Sequence, residues 1–543
     1  MTSSPTIVLV AFENQYAPVG GLAAVMKRLP VELGKSFNTL LITPYFRNIE
    51  KTKRAYREGL IEDTGMKARI FYHGAFCPIE VLKKKSGIED SNFTTYFIKS
   101  NGFFLASENP YIDTWRIEGL FHDSYFLCKC VPAILKLVEK SHPPPYIFSL
   151  HDWEAALTVE TTFSMKDSKC FLTMHNAYDY NLLGDFEGRT ILQYSIPQMQ
   201  GISTVSRQFA HELTHQVLQK DLFARKIQNQ LSAHGIIGIN NGAFVDLHFP
   251  KTITSDAEIL SEKRKMRQYF TNLVSEKKLL SPTWGNQIDL TRDKSETPVF
   301  LLFGRDAPKQ KGIDVAAAAI YRLLKRQDNR KAIFIFAIVP GSNGLDGLAY
   351  LEELAGEFPN NIMVFPERLA KGYQELQSAA NFIIMPSYYE PFGAANEGYG
   401  AGTPVIARAT GGLMEQVSPI NYEKLPTHVK NLLVIYHGKE GIANPTGFLY
   451  VEDPSVETVE NWKYLLSTDV SKRRSVKEPV DRMNPIFWSM VTELEMVIDQ
   501  AIDFYQTEKK SYCKMILNGI TLFEHFNWEN AAKHYSRDLF KIK

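Results

Sequence analysis

A chain of 543 residues exceeds one ordinary core, because domains run to ~100–200 residues, so two large domains are expected. Hydrophobic residues make up 44% and charged residues 22%, a globular balance that excludes wholesale disorder. Lys and Arg number 61 against 60 Asp and Glu; the formal charge of +1 argues against a nucleic-acid coat.

Thr6 to Phe12 is a short, continuous apolar run, the pattern of a buried parallel strand. Gly20-Gly21 follows, then Leu22, Val25, Leu29 and Leu33 at helical spacing, then a second strand over Thr39–Thr43. This β–loop–α–β opening is that of a doubly wound α/β domain. Strands are predicted again at Tyr146–Leu150, Cys170–Met174 and Gly201–Val205. Helices are expected over Ala155–Phe163 and from Arg207 through His211 and His215.

After Pro250 the texture becomes rich in Lys, Glu, Ser and Thr, with helical spacing only near Ile259–Leu273, and residues 251–297 read as an insertion or linker. Alternation then restarts. Strands are predicted at Val299–Phe303, Ala332–Val339, Ile362–Phe365, Phe382–Met385 and Pro404–Ala407. Helices are predicted at Val315–Leu324, Leu351–Phe358, Tyr373–Ala380 and from Asn396. Two βα series predict two Rossmann-like domains.

Cys77, Cys128, Cys130, Cys170 and Cys513 form neither a CxxC nor a disulfide framework and read as free thiols. The first residues lack a basic n-region, and no run reaches the ~18 apolar residues of a membrane span. A soluble, cytoplasmic protein is expected.

Five motifs carry chemistry. Gly20-Gly21 lies at a strand-to-helix turn, where backbone N–H groups can meet an anion; a plain tight turn is an equal reading. The loop is not GxGxxG, which disfavours a nicotinamide cofactor. His151-Asp152-Trp153 ends a strand, where an acid and an imidazole can bind hydroxyls or Asp152 can cap the next helix. His175-Asn176 ends the neighbouring strand. Arg305, then Gln310-Lys311-Gly312 before a helix, suits a diphosphate. The richest motif runs from Pro386 through Glu390-Pro391-Phe392-Gly393 to Glu397, followed after a strand by Thr410-Gly411-Gly412-Leu413. Its two carboxylates suit sugar and ribose hydroxyls.

In this order the motifs resemble those of the bacterial and plant glycogen and starch synthases, retaining glucosyltransferases of the GT-B fold. The likeness spans nearly the whole chain. Pro18-Val19-Gly20-Gly21-Leu22 stands where the family has Lys-x-Gly-Gly-Leu. His151-Asp152-Trp153, His175-Asn176, Thr204-Val205-Ser206 and Asn241-Gly242 each match a family motif, and Arg305 with Gln310-Lys311-Gly312 matches another. Pro386–Gly393, Thr410–Leu413 and the closing Asn527–Ala532 segment complete the series. Three departures mark a divergent relative. Pro18 replaces the family lysine. Arg305 and Lys311 are one residue further apart than in the bacterial pattern. Glu390 and Glu397 are one residue closer than in the wider retaining GT-B group.

The resemblance implies two Rossmann-like domains facing each other across a cleft. Residues 1–250 would form an acceptor-side domain and 298–520 a nucleotide-sugar domain, with 521–543 packing back on the first. An ADP- or UDP-sugar donor and a glycan acceptor are implied, with no metal, no cofactor and no nucleic acid. Catalytic roles fall to His175, Asp152, Glu390, Arg305 and Lys311. Donor binding adds Gly20, Gly21, Pro391, Phe392, Gly393, Glu397, Thr410, Gly411 and Gly412. His151, Asp152, Trp153 and Asn176 fall on the acceptor side. A transferase with another sugar or a lipid, protein or small-glycan acceptor, and a nucleotide-sugar or glucan binder without turnover, are the alternatives.

Overall fold

The computed structural model describes residues 4–542 other than 86–91, 112–117, 166, 183–187, 277, 280, 327–330, 468–474 and 478–483. The chain forms two compact units, one of Met1–Phe244 with Asn527–Lys543 and the other of Val245–Phe526. Among the described residues no helix is long and apolar enough to cross a membrane.

Among the described residues the first unit is built on nine strands: β1 (Thr6–Val10), β2 (Thr39–Pro44), β3 (Ile61–Tyr72), β4 (Ala75–Lys84), β5 (Phe93–Ser100), β6 (Tyr146–His151), β7 (Lys169–Met174), β8 (Gly201–Thr204) and β9 (Ile237–Gly238). They lie in the order β3-β4-β5-β2-β1-β6-β7-β8-β9. From β5 to β9 every pairing is parallel, and β1 is flanked by β2 (Val8 opposite Leu40) and β6 (Val8 opposite Phe148). All five residues of β1 are buried, as a strand covered on both faces requires. From β1 the chain passes to β2, crosses to the edge strand β3, returns inward through β4 and β5, and resumes at β6 on the other flank of β1. The strand order therefore reverses between β1 and β6, and the loops leaving those two strands part there.

β3 and β4 form an antiparallel hairpin on the edge of this sheet, turned at His73-Gly74 with φ of 46° and 78°. Two successive positive φ values are those of a type I′ turn, whose twist suits a hairpin. β3 alternates exposed charges with half-buried residues, so it lacks the apolar run by which the parallel strands announce themselves.

Among the described residues the second unit has six strands, all parallel: β10 (Val299–Arg305), β11 (Ile333–Val339), β12 (Ile362–Phe365), β13 (Phe382–Met385), β14 (Val405–Arg408) and β15 (Gly447–Tyr450). Their order, β12-β11-β10-β13-β14-β15, reverses between β10 and β13.

Residues 251–297 do not stand apart as an insertion. The helix Asp256–Ser275, opened by a Ser255/Glu258 capping box, buries Ile259, Phe270 and Val274 in the second unit. Two of its cations are buried with them. Lys263 Nζ donates to Ala380 O (2.8 Å) and Thr403 Oγ1 (2.6 Å). Arg267 donates to Ala379 O, Thr297 O and Asn381 Oδ1. Ala379 and Ala380 carry carbonyls at the end of the helix Tyr373–Ala379, where a cation satisfies orphan acceptors and complements the helix dipole. The lysine and arginine that gave this stretch a solvated look are thus the groups that dock it.

The C-terminal segment of the first unit begins at Asn527 rather than 521. Trp528, Tyr535, Leu539 and Phe540 share a core with Leu9, Leu22, Val25 and Leu29. Trp528 Nε1 donates to Ala243 O at 2.8 Å, and a Cβ on Gly242 would stand 2.6 Å from the indole. Trp528→Ala is expected to cost about 3–5 kcal/mol, the range for deleting a buried large aromatic, read as a lowered denaturation midpoint of the full chain.

Candidate active site

The reversal point of the second sheet carries the densest chemistry. β10 ends in Arg305, which is exposed, and its loop runs through Gln310-Lys311-Gly312 into the helix Ile313–Lys325. β13 ends at Met385 and its loop carries Ser387, Tyr388 and Glu390. The two loops interlock. Tyr388 N donates to Gln310 O at 2.7 Å, and the Tyr388 hydroxyl donates to the Asp314 carboxylate at 3.0 and 3.2 Å. Gly312, at φ 57°, passes so close that a Cβ would stand 2.1 Å from Pro386 O. Across this junction Lys311 Nζ meets Glu390 Oε2 at 2.5 Å, and Ser387 Oγ donates to the same oxygen at 3.0 Å. The lysine side chain is 31% exposed and the glutamate 12%, so the pair sits at the rim of the junction.

Glu397 lies deeper. Its Oε2 accepts from Tyr373 Oη and Gln377 Nε2, both at 3.2 Å. Burial raises its carboxyl above the usual range, and the two hydrogen bonds and the Lys311 charge oppose that rise. This glutamate is held by its own unit.

Gly411 and Gly412 do not present a row of open donors. Gly412 N donates to Glu390 O (3.0 Å) and Pro391 O (3.3 Å), and Thr410 N donates to Arg408 O (2.9 Å). A Cβ on Gly411 would stand 1.9 Å from Glu390 O, and one on Gly412 1.9 Å from Phe392 O. The Thr410–Gly412 turn is therefore glycine-rich because it packs backbone to backbone against Glu390–Phe392. Gln416 Nε2 adds bonds to Phe392 O (2.9 Å) and Gly393 O (3.4 Å). The expected donor-binding role of Gly412 gives way to a supporting one, since its N–H is already engaged.

Beneath the loop lies a group that motif spacing did not single out. Arg408, at the end of β14, is 4% exposed and pairs with Glu452, 3% exposed, through both ends of its fork. Its Nη1 donates to Tyr388 O at 2.6 Å, and its guanidinium lies 5.5 Å from the Trp462 ring centroid. A charged residue closing an apolar strand just before Thr-Gly-Gly was the available signal.

In the first unit the predicted residues also gather at the reversal point. Asp152 follows β6 at φ 60°, a left-handed conformation that a non-glycine residue adopts at a cost. It makes no side-chain cap to the helix it precedes. Instead Oδ1 accepts from His175 N at 2.6 Å, fixing the loop after β7. Burial pushes the Asp152 carboxyl up to about 7, the His175 N–H and Glu13 acting in opposite directions on top of that. His151, fully buried, links Ser149 Oγ (3.1 Å) to His175 Nε2 (2.9 Å). Desolvation lowers both imidazoles, His175 to about 3, so they form a neutral chain. With Nε2 turned to His151, the other ring nitrogen of His175 is the one left for a ligand.

Trp153 departs from its expected acceptor-side role. It is 5% exposed and its ring stacks on Tyr180 at 5.1 Å. Asn176 Oδ1 accepts from Tyr178 N at 2.7 Å, an Asx turn. The Gly20-Gly21 loop holds a second surprise. Glu13, absent from the motif reading, accepts at Oε2 from Val19 N and Gly20 N, both at 2.9 Å, and at Oε1 from Tyr111 Oη at 2.7 Å. Among the described residues no group of three or more His, Cys, Asp and Glu could hold a metal ion.

A family model for the starch synthase catalytic domain matches residues 6–224, and one for family 4 glycosyltransferases in conflict systems matches 263–445. The glycogen synthase of Petrotoga mobilis is 24% identical over 462 residues, 76% of this chain and 85% of that protein. That of Bacillus cereus is 25% identical over 451 residues, covering 74% and 83%. The catalytic domain of starch synthase IV from Arabidopsis thaliana, solved with ADP and acarbose, superposes with a TM-score of 0.66 at 16% identity, over 99% of this chain and 98% of that one. Sucrose-phosphate synthase from Thermosynechococcus elongatus gives 0.52 at 15%, over 99% and 100%. Two Rossmann-like units with these relatives define a glycosyltransferase of the GT-B fold. Within that class the chain is similar to the glycogen and starch synthases, at 24–25% identity to the bacterial enzymes.

Two outcomes follow from these geometries. Arg408→Met strands a buried Glu452 and is expected to cost about 3–5 kcal/mol; Arg408→Met with Glu452→Leu should recover much of it in a double-mutant cycle of unfolding free energies. For Asp152 the folded carboxyl sits above its unfolded value, so the native state binds more protons between about pH 4 and 7. Its contribution is present at low pH and is lost as pH rises through that window. Asp152→Asn, which keeps the acceptor for His175 N, should flatten the fall of stability with pH there, measured by urea denaturation at a series of pH values.

Proposed function

We propose that this chain transfers a glucosyl unit, with retention, from ADP- or UDP-glucose to the end of an α-1,4-glucan. The observation that carries the reading is the Lys311–Glu390 pair at the reversal point of the second sheet, beside the strand that ends in Arg305. Without ligand, each charge neutralises the other. A diphosphate draws Lys311 toward itself, and that exchange frees the Glu390 carboxylate to accept hydroxyls of the attached sugar. Arg305, exposed and with a planar fork, adds the second cation for the charge that develops on the leaving diphosphate. The relatives' names support this reading. Both bacterial proteins are glycogen synthases, and the Arabidopsis enzyme was solved with ADP and acarbose. A trehalose-6-phosphate protein from E. coli, bound with UDP-2-fluoro glucose, shares the fold with a TM-score of 0.53.

His175 is assigned to the sugar and Asp152 to holding His175. Because Asp152 acts through the His175 backbone, it is a positioning residue in this reading, and His151 is another. The retained configuration needs no protein nucleophile when the leaving group departs and the acceptor attacks on one face. Pro18, where the family resemblance implies a lysine, favours a second reading: a protein that binds the nucleotide sugar and turns it over slowly or not at all.

A panel of ADP-glucose, UDP-glucose and other nucleotide sugars, with glycogen as acceptor and released nucleoside diphosphate as readout, tests both. Lys311→Ala and Glu390→Ala should each lower turnover by ~10²–10³ while circular dichroism stays unchanged. Turnover near that of the wild type in either variant would overturn the assignment. Donor binding by calorimetry with no product from any donor would favour the second reading.

A further inference from the structure

Two histidines that stand out in the sequence lie outside every role assigned so far. His211 and His215 are four residues apart on the helix Arg207–His215, which follows β8 in the first unit and is capped at its start by Ser206. Residues at that spacing share one helix face. Here the two imidazoles lie against each other, with ring centroids 4.4 Å apart and planes 11° from parallel. His215 is the last helical residue and is exposed, while His211 is half-buried.

The hydrogen bonds around the pair keep lone pairs available. The Thr214 hydroxyl donates to Ala210 O at 3.1 Å, so toward His215 it is an acceptor. The Nδ1–H of His215 donates to that hydroxyl at 2.8 Å and to His211 O at 3.2 Å. A proton held at Nδ1 puts the free lone pair of this ring on Nε2. Metal-ligating imidazoles are oriented in the same way, the second nitrogen donating to a neighbouring oxygen. Among the described residues no hydrogen bond engages His215 Nε2 or either ring nitrogen of His211. Burial, with His215 beside it, holds the His211 imidazole below its usual range, so it too keeps a lone pair at neutral pH.

Distance and field both suit a cation. Two nitrogens that share a tetrahedral ion at ~2.1 Å stand about 3.4 Å apart, which rings at 4.4 Å reach when either turns about its Cβ–Cγ bond. The last turn of a helix carries orphan carbonyls and the negative end of the dipole. Among the described residues the pair has no third His, Cys, Asp or Glu to complete a closed site.

We propose that His211 and His215 form a bidentate site for one divalent transition-metal ion, with water in the remaining positions. Imidazole nitrogens select Cu²⁺, Ni²⁺ and Zn²⁺ over Mg²⁺ and Ca²⁺, and Cu²⁺ binds most tightly. The ion ties the last turn of the helix to the one before it and so stabilises the helix end. The site is independent of the transferase reading, and its ion takes no part in transfer.

The test uses the untagged full chain, stripped with a chelator, and calorimetry with CuCl₂, NiCl₂ and ZnCl₂. The wild type should bind one ion at this site. His211→Gln and His215→Gln should each weaken that binding by about tenfold or more, because the chelate is lost. Electron paramagnetic resonance of the Cu²⁺ complex should show two imidazole nitrogens in the wild type and one in either variant. Added metal should raise the melting temperature of the wild type and not of the variants, a response that merely stacked rings would not give. His73→Gln is the control, since His73 and His122 form another imidazole pair, with ring centroids 5.3 Å apart; it should leave the binding intact. No ion bound by the wild type, equal binding by both variants, or loss confined to His73→Gln would each overturn the assignment.

Discussion

The constraint on which the rest depends is the reversal of strand order between β1 and β6 in the first sheet and between β10 and β13 in the second. Parallel strands buried on both faces leave no room for polar side chains along their length, so those residues collect where strands end. Where the order reverses, two neighbouring loops run to opposite faces and leave a gap between them. In the first unit that gap lies between β1 and β6 and receives Glu13, Asp152 and Glu154. In the second it lies between β10 and β13 and receives Arg305, Lys311 and Glu390. The chemistry of each unit is thus a consequence of its winding.

That winding was legible in the sequence wherever apolar runs were continuous. Leu301 and Phe336 belong to strands with no polar interruption, and both were recognisable as such. The edge hairpin was not, because β3 carries Glu62, Asp63, Lys67 and Arg69 on a half-exposed ribbon. The helix Asp256–Ser275 misled for a related reason. Charge along a helix reads as solvent exposure, yet Lys263 and Arg267 end on helix-terminal carbonyls. Composition reports which groups are polar and is silent on where they find partners.

The site residues show the same limit. Their positions at strand ends followed from spacing, and the structure gathers them within each unit. Their partners did not follow. Gly412 was legible as a glycine beside a strand, but whether its N–H faces a ligand or the Glu390 carbonyl is a matter of tertiary packing. Asp152 could equally have capped its own helix; it bonds across to the next loop instead. Arg408 and Glu452 are 44 residues apart and belong to no motif, although together they hold the carbonyl of Tyr388.

The two units satisfy their charges in different ways, and that difference bears on what each can bind. Among the described residues of the second unit, four carboxylates near the reversal point have partners: Glu390 has Lys311, Glu452 has Arg408, Asp314 has Tyr388 and Glu397 has Tyr373 and Gln377. Exposed Arg305 adds positive charge, and in the proposed reading an anion enters by exchanging partners with Lys311. In the first unit burial raises the Asp152 and Glu154 carboxyls and lowers the His151 and His175 imidazoles, each toward its neutral form. Groups kept near neutrality in this way hydrogen-bond well to other neutral groups and poorly to phosphate. In the proposed reading, the division between a unit for the charged end of a nucleotide sugar and one for hydroxyls follows from how each fold compensates its own buried ions.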